Sequence, residues 1–528
     1  MKYLLSGVAA IAVLSGCGND GGDAADRPLS EVSVRAGDPA EANDALAAMS
    51  LTNSGDGVVV YGNKSVDGAK ATFSDVTIAG DEADGLSAAS LVFDGLDMVD
   101  GKASFSKMTL SDISIDDEEM DNGSVTVGAI EVLNPTPELA AWLAAHLGAA
   151  DAEAPFPSAE QIGFDAWTIS DIAAAFDDED ATGTFSINSF EVRDLKDQKA
   201  ARAVLKDLKF DVMDEDSGTP VKMSLASLNM SGLDLGFLEA VQQNLGNEEQ
   251  LAQAVMEKVY EKPMDPGYDR IAMDNFSVEA AGASFKMPSL DSSVERNAAG
   301  QPVKFVTEPF SMTLDADPDG GEAGAGLAQG LSMIGYESIE MKGAGTSTYD
   351  PENDVITFAA KDNYFELVDG AKFNFGGKLA GYAAYNKEVM TAFDFEDMAE
   401  GAEPDPMAFQ EAMNELEFYN FELSVEDDSL VDRIFNAVAA QSGEDPEQMR
   451  AQAAMMMGMA PMMAQGSGID MDIVTELATA VSGFITEPGT LTVKLNPNEP
   501  LSAETLSTME DPSLLTKEYL GFSATHKN

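Results

Sequence analysis

The side chains that most often carry enzymatic or metal chemistry are scarce in this chain. It holds two histidines, His146 and His526, and one cysteine, Cys17. His146 lies on the apolar face of an alanine-rich stretch that is predicted to be helical, and His526 lies close to the C-terminus. A Ser-His pairing or a Cys/His metal site would depend on these residues, and the G-x-S-x-G, H-E-x-x-H and P-loop patterns are absent. No enzymatic activity and no cofactor are predicted.

Carboxylates are the one reactive group in excess, with 93 Asp and Glu residues. A pair of them can act as acid and base in glycoside cleavage, but among so many the proximity of two in sequence carries almost no information. The loop from Asp315 to Gly320 matches the first half of an EF-hand calcium loop. Its twelfth position, where calcium needs a bidentate Glu, is Gly326. We therefore interpret the loop as an acidic turn, with calcium binding as the alternative.

Methionines form a second unusual group. They crowd into a stretch near the C-terminus that contains Met449, Met455, Met456, Met457, Met459, Met462, Met463 and Met471. Methionine fills irregular cores and also lines adaptable apolar grooves, and the sequence favours core filling over a groove. Copper binding is a third interpretation, but Met-only copper sites have a regular M-x-x-M spacing that this run does not follow.

Length and charge limit the classes of function. A chain of 528 residues suggests about two to four domains, and 44% hydrophobic residues supply a packed core. The formal net charge is −63, and such a field repels nucleic acids and anionic headgroups. Nucleic acid is therefore excluded as a partner. A single cysteine also excludes a disulfide framework, so core packing must stabilise the fold.

The N-terminus combines a basic start at Lys2, an apolar run from Tyr3 to Val13, and the box Leu14-Ser15-Gly16-Cys17. This arrangement resembles a bacterial lipoprotein signal. The resemblance implies cleavage before Cys17 and attachment of a diacylglycerol to the Cys17 sulfur. Gly18 stands where aspartate would signal inner-membrane retention in enterobacterial lipoproteins, so the resemblance implies the outer membrane, facing the periplasm. An ordinary secretory signal with a chance cysteine is the alternative.

A six-residue pattern recurs along the body. It consists of an apolar residue, any residue, then Asp, Asn or Gly, and finally two apolar residues with one residue between them. Phe73 to Ile78 and Leu110 to Ile115 are examples. Alternation predicts strands, but the three-residue step would move the second apolar pair to the opposite face of a straight strand. One extra residue corrects the register, and a left-handed conformation is what a β-bulge or a kink requires, so we interpret these segments as bent strands. The pattern predicts such residues at Asp75, Gly95, Asp112, Asp171, Asp207, Gly232, Asn275 and Asn420.

A longer duplication organises the first half of the chain. Residues 108–190 parallel residues 203–290, each copy with two strands, a helix and further strands. The first helix begins at Thr136-Pro137, and the second carries Phe237, Leu238, Val241 and Leu245 on one face. The predicted domains are a signal peptide (1–16), a flexible tether (17–37), an N-terminal β-rich region (38–295) opened by a helix from Asp38 to Met49, a second β-rich region (296–428) and a C-terminal region (429–528). The C-terminal region is predicted to contain methionine-rich helices (430–441, 446–465 and 469–484), a final strand (490–495) and an irregular tail from Asn496.

The predicted fold class is β-rich α+β: elongated, bent antiparallel sheets from tandem repeated units, with short covering helices and a helical segment near the C-terminus. The body, from about residue 60 to 500, resembles AsmA-like envelope proteins of Gram-negative bacteria, which share runs of short strands with the recurring segment described above. The resemblance implies an envelope role and identifies no functional residue.

The function hypothesis is a non-catalytic, lipid-anchored envelope protein that acts as a β-rich scaffold or binding module. The alternative is a carrier or binder of lipid or another apolar ligand in the periplasm, and a hydrolase that uses carboxylates is a third hypothesis. The predicted partners are the membrane, through the anchor on Cys17, and either an apolar ligand or an envelope protein.

Overall fold

The structure, a computed structural model, describes residues 32–79, 85–116, 123–148, 157–177, 181–214, 219–236, 261–392, 412–465, 468–502 and 514–528. The chain divides into two compact units, the first containing residues up to 259 with 266–280 and the second 260–265 with 281–528. Antiparallel strands dominate both units and helices accompany them, which confirms the predicted β-rich α+β class. The predicted signal peptide and Cys17 lie outside the described residues.

The first unit is built around an antiparallel sheet. Its strands are β1 (Val59–Asp67), β2 (Lys70–Ala79), β3 (Gly85–Asp94), β4 (Asp97–Val99), β5 (Lys102–Ser104), β6 (Lys107–Asp116), β7 (Ser124–Leu133), β8 (Phe164–Asp177), β9 (Ala181–Leu195), β10 (Lys199–Asp214), β11 (Thr219–Asp234) and β12 (Arg270–Ala280), and its helices are α1 (Ala42–Ala48) and α2 (Pro137–Gly148). Strands β4 and β5 form a separate hairpin. The others pair in chain order from β1 to β12, each antiparallel to the next.

The interruptions in the strand pattern are left-handed residues, as predicted. The backbone angle φ is positive at seven of the eight predicted positions: Asp75 (54°), Gly95 (66°), Asp112 (51°), Asp171 (53°), Asp207 (51°), Gly232 (73°) and Asn275 (50°). Gly95 directly follows β3, and the other six lie within strands. Phe73 and Val76, on either side of Asp75, are both buried. The left-handed residue therefore keeps the apolar side chains of one strand on the same face.

Of the two predicted alternatives, a β-bulge and a kink, these positions are kinks, because no residue is inserted. On either side of Asp75, Ser74 pairs with Ser90 and Val76 pairs with Ala88, so the register continues and only the interval between them is left unpaired. A bulge would place two residues opposite one. Here one left-handed residue lies opposite one residue of each neighbouring strand. The predicted extra residue is wrong for this sheet, although the predicted conformation is confirmed.

Five of these left-handed residues, Asp75, Asp112, Asp171, Asp207 and Asn275, fall on a single line that crosses the sheet from strand to strand. We call this line the kink row, and its members in strand order are Gly62, Asp75, Ala89, Asp112, Gly128, Asp171, Asn188, Asp207, Ala226 and Asn275. The left-handed residues occupy every second strand, from β2 to β12 by way of β6, β8 and β10. The strands between them contribute Gly, Ala or Asn at the same level.

Small residues in the kink row lie beneath the neighbouring carboxylates. A Cβ added at Gly128 would come within 2.8 Å of the Cβ and 2.9 Å of the Oδ2 of Asp171, and a Cβ at Gly62 within 2.8 Å of the Oδ2 of Asp75. Asn188, the largest residue on an intervening strand, donates from Nδ2 to Oδ2 of Asp207 at 3.3 Å. The left-handed backbone thus turns each of these aspartates towards the next strand.

The core of the first unit packs α1 and α2 with the apolar face of the strands. Phe73, Phe93 and Phe105 are fully buried, with ring centroids 6.4 Å and 5.2 Å apart along the series. Burial of one such side chain contributes about 1.5–3 kcal/mol. Helix α2 begins at Pro137, as predicted. Helix α1 begins at Ala42, later than predicted, because the carboxylate of Asp38 accepts from the N–H of Ala40 at 2.8 Å and forms a turn first.

The last residues of the predicted tether belong to the first unit. Asn134, buried and left-handed with φ of 47°, accepts from the N–H of Arg35 at 3.0 Å and donates to the carbonyl of Ser33 at 2.8 Å. It also donates to Oδ2 of Asp165 at 2.6 Å. Because these bonds fix residues 33–35, the ordered body begins earlier than residue 38, where the sequence analysis placed it.

The second unit contains strands β13 (Ala283–Arg296), β14 (Pro302–Ala316), β15 (Ser338–Asp350), β16 (Val355–Phe358), β17 (Tyr364–Leu367), β18 (Ala371–Ala380), β19 (Glu417–Asp427), β20 (Thr490–Leu495), β21 (Leu501–Ser502) and β22 (Ser523–Lys527), and helices α3 (Gly321–Met333), α4 (Tyr382–Ala392), α5 (Leu430–Ser442), α6 (Pro446–Met463), α7 (Met471–Thr486) and α8 (Lys517–Leu520). Strand β15 pairs with β14, β16 and β17, and the last two also pair with β18. Strand β19 joins β18 to β20 and β21, and β22 pairs with β20.

The duplication stays a prediction, and the order of the described strands agrees with it. Its first copy falls on β6 to β9 with α2, and its second copy falls on β10 to β13. The left-handed Asp112 and Asp171 of the first copy correspond to Asp207 and Asn275 of the second. The predicted helix with Phe237, Leu238, Val241 and Leu245 lies outside the described residues. The two units meet in the chain between residues 280 and 281, whereas the sequence analysis placed a boundary at 295 and a further one at 428.

Asn420 is the position where the predicted left-handed conformation is wrong, since its φ is not positive. The register shifts there instead: Lys378 pairs with Asn420, Leu379 pairs with Phe418, and Tyr419 is the inserted residue. Strand β19 therefore contains the β-bulge that the strand pattern predicts. Its inserted residue directly precedes the asparagine that the pattern singled out.

Other expectations for the second unit are mostly confirmed. The turn from Asp350 to Asp354 separates β15 from β16, and the final predicted strand is β20. The tail is not irregular, however, because Ala524 in β22 donates its N–H to Oε1 of Glu476 on α7 at 2.9 Å and is itself buried. This bond and the pairing of β22 with β20 tie the C-terminus to the helical segment.

A compact hydrogen-bonded junction fixes the start of the helical segment. The carbonyl of Gly370 accepts from the N–H groups of Asp428, Ser429 and Leu430 at 2.8, 2.9 and 3.0 Å. Arg433 on α5 stacks over the ring of Tyr336, 4.0 Å from the centroid. Its Nε also donates to the carbonyl of Asp369 at 3.0 Å. These contacts fix the position at which α5 begins after β19, and α6 follows α5 in the chain.

Candidate functional site

Helix α6 packs with its small residues inward. Ala453, Ala454, Met457 and Ala460 are half-buried and recur at the spacing of one helical face. On α7, Ala478 and Ala480 are buried, and the hydroxyl of Ser482 donates to the carbonyl of Ala454 at 3.0 Å. A side-chain hydroxyl bonded to a backbone carbonyl shows that the two helices approach closely, which alanines permit.

The large apolar side chains of α6 lie on the opposite face and are exposed. Exposed fractions are 61% for Met455, 62% for Met456, 38% for Met459, 66% for Met462 and 79% for Met463. Positions i, i+1, i+4, i+7 and i+8 share one helical face. We call these five residues the methionine face. The predicted core filling is wrong for them, because the packed face of α6 consists of Ala453, Ala454, Met457 and Ala460 instead.

The ends of the helix are fixed by its sequence. Asp445 caps the N-terminus by accepting from the N–H of Glu447 at 2.9 Å and of Gln448 at 3.3 Å, and Pro446 follows at the first helical position. Arg450, the one charged residue between Gln448 and Ile469, pairs with Asp432 on α5 and lies 5.6 Å from the centroid of the Phe435 ring. Its charge is therefore engaged away from the methionine face.

Carboxylates border the methionine face but do not enter it. No Asp or Glu occurs between Gln448 and Ile469, although the whole chain carries 93 of them. Before this stretch Glu444, Asp445 and Glu447 are exposed, and after it Asp472 is exposed. The result is a helical stretch without carboxylates that is flanked in the chain by exposed acidic residues.

The adjoining helix α7 is held by charged contacts. Asp470 accepts from the N–H of Lys517 at 2.7 Å and of Asp472 at 2.9 Å, which lowers its pKa below the ordinary value. Glu476 pairs with the Lys517 ammonium and accepts from Ala524, and the hydrogen bond from Lys517 is the main cause of its lowered pKa. Both carboxylates therefore stabilise the attachment of the C-terminal residues to α7.

Additional apolar side chains are exposed on the neighbouring helices. Ile434 and Val438, one turn apart on α5, are 48% and 43% exposed. Ile469 precedes α7 and Leu477 lies on it, and both are exposed. Exposed apolar residues thus occur on or beside each of the three helices of the segment, with the largest group on α6.

The two histidines occupy structural surroundings. On α2, Nδ1 of His146 lies 2.9 Å from the carbonyl of Trp142, and the two rings are 4.3 Å apart. His526 lies in β22, where the Phe484 ring is 6.2 Å away, and its buried Nε2 has no hydrogen-bond partner within the described part of the chain. The structure brings neither histidine to a described serine nucleophile.

The acidic loop from Asp315 to Gly320 forms a turn between β14 and α3. Asp315 pairs with Lys286 at 3.1 Å, and Asp317 accepts from the N–H of Asp319 at 3.0 Å. Among the residues that the structure describes, no three His, Cys, Asp or Glu side chains are arranged to hold a metal ion. The carboxylates of Asp315 and Asp317 thus have partners that account for their positions.

Within the described ranges, no helix combines the length and the apolar character that crossing a membrane requires. A family model described as "Uncharacterized protein" matches residues 364–527, less than a third of the chain. No curated protein and no solved structure matches the chain. The matched segment begins with β17, ends with β22 and includes all of α5, α6 and α7. The methionine face thus lies within the part of the chain that is similar to this family.

Proposed function

We propose that this protein is a non-catalytic, lipid-anchored protein of the bacterial envelope that acts as a β-rich scaffold or binding module. The observation that carries the proposal is the Leu14-Ser15-Gly16-Cys17 box, in which Cys17 is the only cysteine of the chain. The diacylglycerol on Cys17 holds the acidic body at the outer membrane, facing the periplasm. Lipid supplies the attachment because a net charge of −63 gives no attraction to anionic headgroups.

Several polar side chains of the body have structural roles, which supports a non-catalytic function. The aspartates of the kink row shape the strands, Asp445 and Asp470 cap helices, and Glu476 binds the C-terminal strand. The resemblance to AsmA-like envelope proteins favours the same cellular location. A strand-rich body on a lipid anchor suits a protein that holds or presents a partner.

Metabolic labelling with tritiated palmitate tests this proposal. The parent protein should incorporate label and fractionate with the outer membrane, whereas Cys17→Ser should lose the label and leave the outer-membrane fraction. Met333→Gln, which changes an exposed methionine of the second unit, serves as the control and should behave like the parent. Label on the serine variant, or none on the parent, would contradict the proposal.

A carrier of lipid or another apolar ligand is the second candidate function. The observation that favours it is the methionine face, which exposes five flexible apolar side chains on one helix. A carrier should take up a fluorescent fatty acid in a saturable manner and lose that uptake in the combined Met456→Gln, Met459→Gln and Met463→Gln variant. Absence of uptake by the parent protein would contradict the carrier function and leave the binding module.

A further inference from the structure

We propose that the methionine face is a docking site for a basic amphipathic segment of a partner protein. The inference deepens the binding-module function proposed above and rests on it. The site comprises Met455, Met456, Met459, Met462 and Met463, and the acidic residues that border them in the chain supply its charge. The partner contributes apolar side chains on one face and Lys or Arg on the other.

Helix α6 has an unusual orientation, with its large apolar residues turned to solvent. A surface helix normally turns its large apolar residues to the core and its small or polar residues to solvent. In α6 the packed face carries three alanines and Met457, while the five methionines of the methionine face are exposed. The face from Met455 to Met463 spans two turns, about 12 Å at 1.5 Å per residue, which matches the i, i+3 or i+4, i+7 anchors of an amphipathic helix. Unbranched methionines adapt to such a partner without a preformed shape.

The charges near the methionine face determine which sign of charge a partner should carry. Glu447 lies in the first turn of α6, at the N-terminal end of the stretch, and is exposed. Exposed Glu444, Asp445 and Asp472 add negative charge at the two ends of the stretch. Arg450 offers no compensating positive charge, because Asp432 neutralises it. Lys and Arg on a partner would therefore gain attraction, while an acidic partner would be repelled.

The same charges argue against other occupants. A second copy of this chain carries the same net charge of −63 and meets the face with like charge. An anionic lipid surface is repelled for the same reason. An uncharged acyl chain would use the apolar side chains alone and leave the acidic border without a role. A basic amphipathic segment uses both features.

The test uses the mature lipoprotein in nanodiscs of zwitterionic phosphatidylcholine, with empty nanodiscs as a blank. The probes are two fluorescein-labelled synthetic helices of the same length as α6 that share one leucine face and differ in carrying only Lys or only Glu on the other. Anisotropy should show saturable binding of the Lys peptide, weakened by added salt, and at least tenfold weaker binding of the Glu peptide, a difference of about 1.4 kcal/mol.

Variants separate the face from general charge attraction. Met456→Gln, Met459→Gln and Met463→Gln together should weaken binding of the Lys peptide about tenfold or more, while Met333→Gln, exposed on α3 of the same unit, should not. Equal binding of the two peptides, or unchanged binding of the Lys peptide by the triple variant, would overturn the proposal. The proposal would also be overturned if neither peptide binds and the protein takes up a fluorescent fatty acid in a way that depends on the methionine face. Loss of palmitate label concerns the anchor alone, so the two proposals fail separately.

Discussion

The fit between Gly128 and Asp171 allows the kink row to be tested by a pair of substitutions. In the structure Asp171 has φ of 53°, and a Cβ added at Gly128 would lie 2.8 Å from its Cβ and 2.9 Å from its Oδ2. Gly128→Ala should therefore force the two strands apart or push the aspartate from its place. Asp171→Gly removes both obstructing atoms and keeps a residue that accepts positive φ.

The expected magnitudes follow from this geometry. Overpacking by one methyl group typically costs about 1–3 kcal/mol, which we expect for Gly128→Ala. Asp171→Gly should be nearly neutral, because relief of left-handed strain of about 1–2 kcal/mol offsets a loss of about 0.5–1 kcal/mol from the flexibility of glycine. Combining them should remove most of the overpacking cost, giving a coupling free energy of about 1–3 kcal/mol. Asp171→Val, which is β-branched, should cost about 1–3 kcal/mol.

Urea unfolding followed by tryptophan fluorescence measures these free energies in the first unit, which contains the kink row. The two tryptophans of the protein, Trp142 on α2 and Trp167 on β8, both lie in the first unit, and Trp167 is four residues from Asp171. Gly458→Ala in the second unit has no atom within 4 Å of the added Cβ and is the matched control, with no expected effect on this signal. If Gly128→Ala lowers the free energy of unfolding equally in the parent protein and in the Asp171→Gly variant, the proposed contact and the structural role of the kink row are refuted.

Three further predictions concern the second unit. Replacing Met456, Met459 and Met463 together with Gln should change the melting temperature little, since exposed substitutions cost less than about 0.5 kcal/mol each, and calorimetry showing a large decrease would restore the core interpretation. Gly458→Ala should raise the stability of the unit by about 0.5–1 kcal/mol in circular dichroism melts, because the glycine is in a helix interior with open space around it. The pKa of Glu476 lies below its ordinary value of 4.5 in the folded state, so its ion pair with Lys517 stabilises at neutral pH and is lost as the pH falls through the folded pKa. The stability difference between the parent and Glu476→Gln, measured in urea at several pH values, should shrink below pH 4.5, and a constant difference would contradict the ion pair's role.

The kinks illustrate what could be predicted from residue types. Asp, Asn and Gly tolerate left-handed backbone, and the three-residue step between apolar residues marks where such a residue must stand. That is local information, and it located Asp75, Asp112, Asp171, Asp207 and Asn275. The alignment of the kinks across the sheet depends on strand register, which no single copy of the pattern contains. For the same reason the pattern did not distinguish an inserted residue from a kink in continuous register.

The methionine face shows where sequence reasoning failed. Helix α6 has two apolar stripes, one of alanines with Met457 and one of five methionines. Hydrophobicity assigns the methionines to the core because they bury more area. The close approach of α7, with Ser482 bonded to the carbonyl of Ala454, instead favours the alanines. A helix stripe composed mainly of alanines was the available signal, but it identifies the packed face only once a neighbouring helix is known.

The lipid anchor on Cys17 is the claim on which the proposed function depends, and mass spectrometry of the N-terminal peptide of the mature protein from membranes tests it most directly. We predict a peptide that begins at Cys17 and carries a diacylglyceryl group on its sulfur. A mature N-terminus at another residue, or an unmodified Cys17 thiol, would contradict the account.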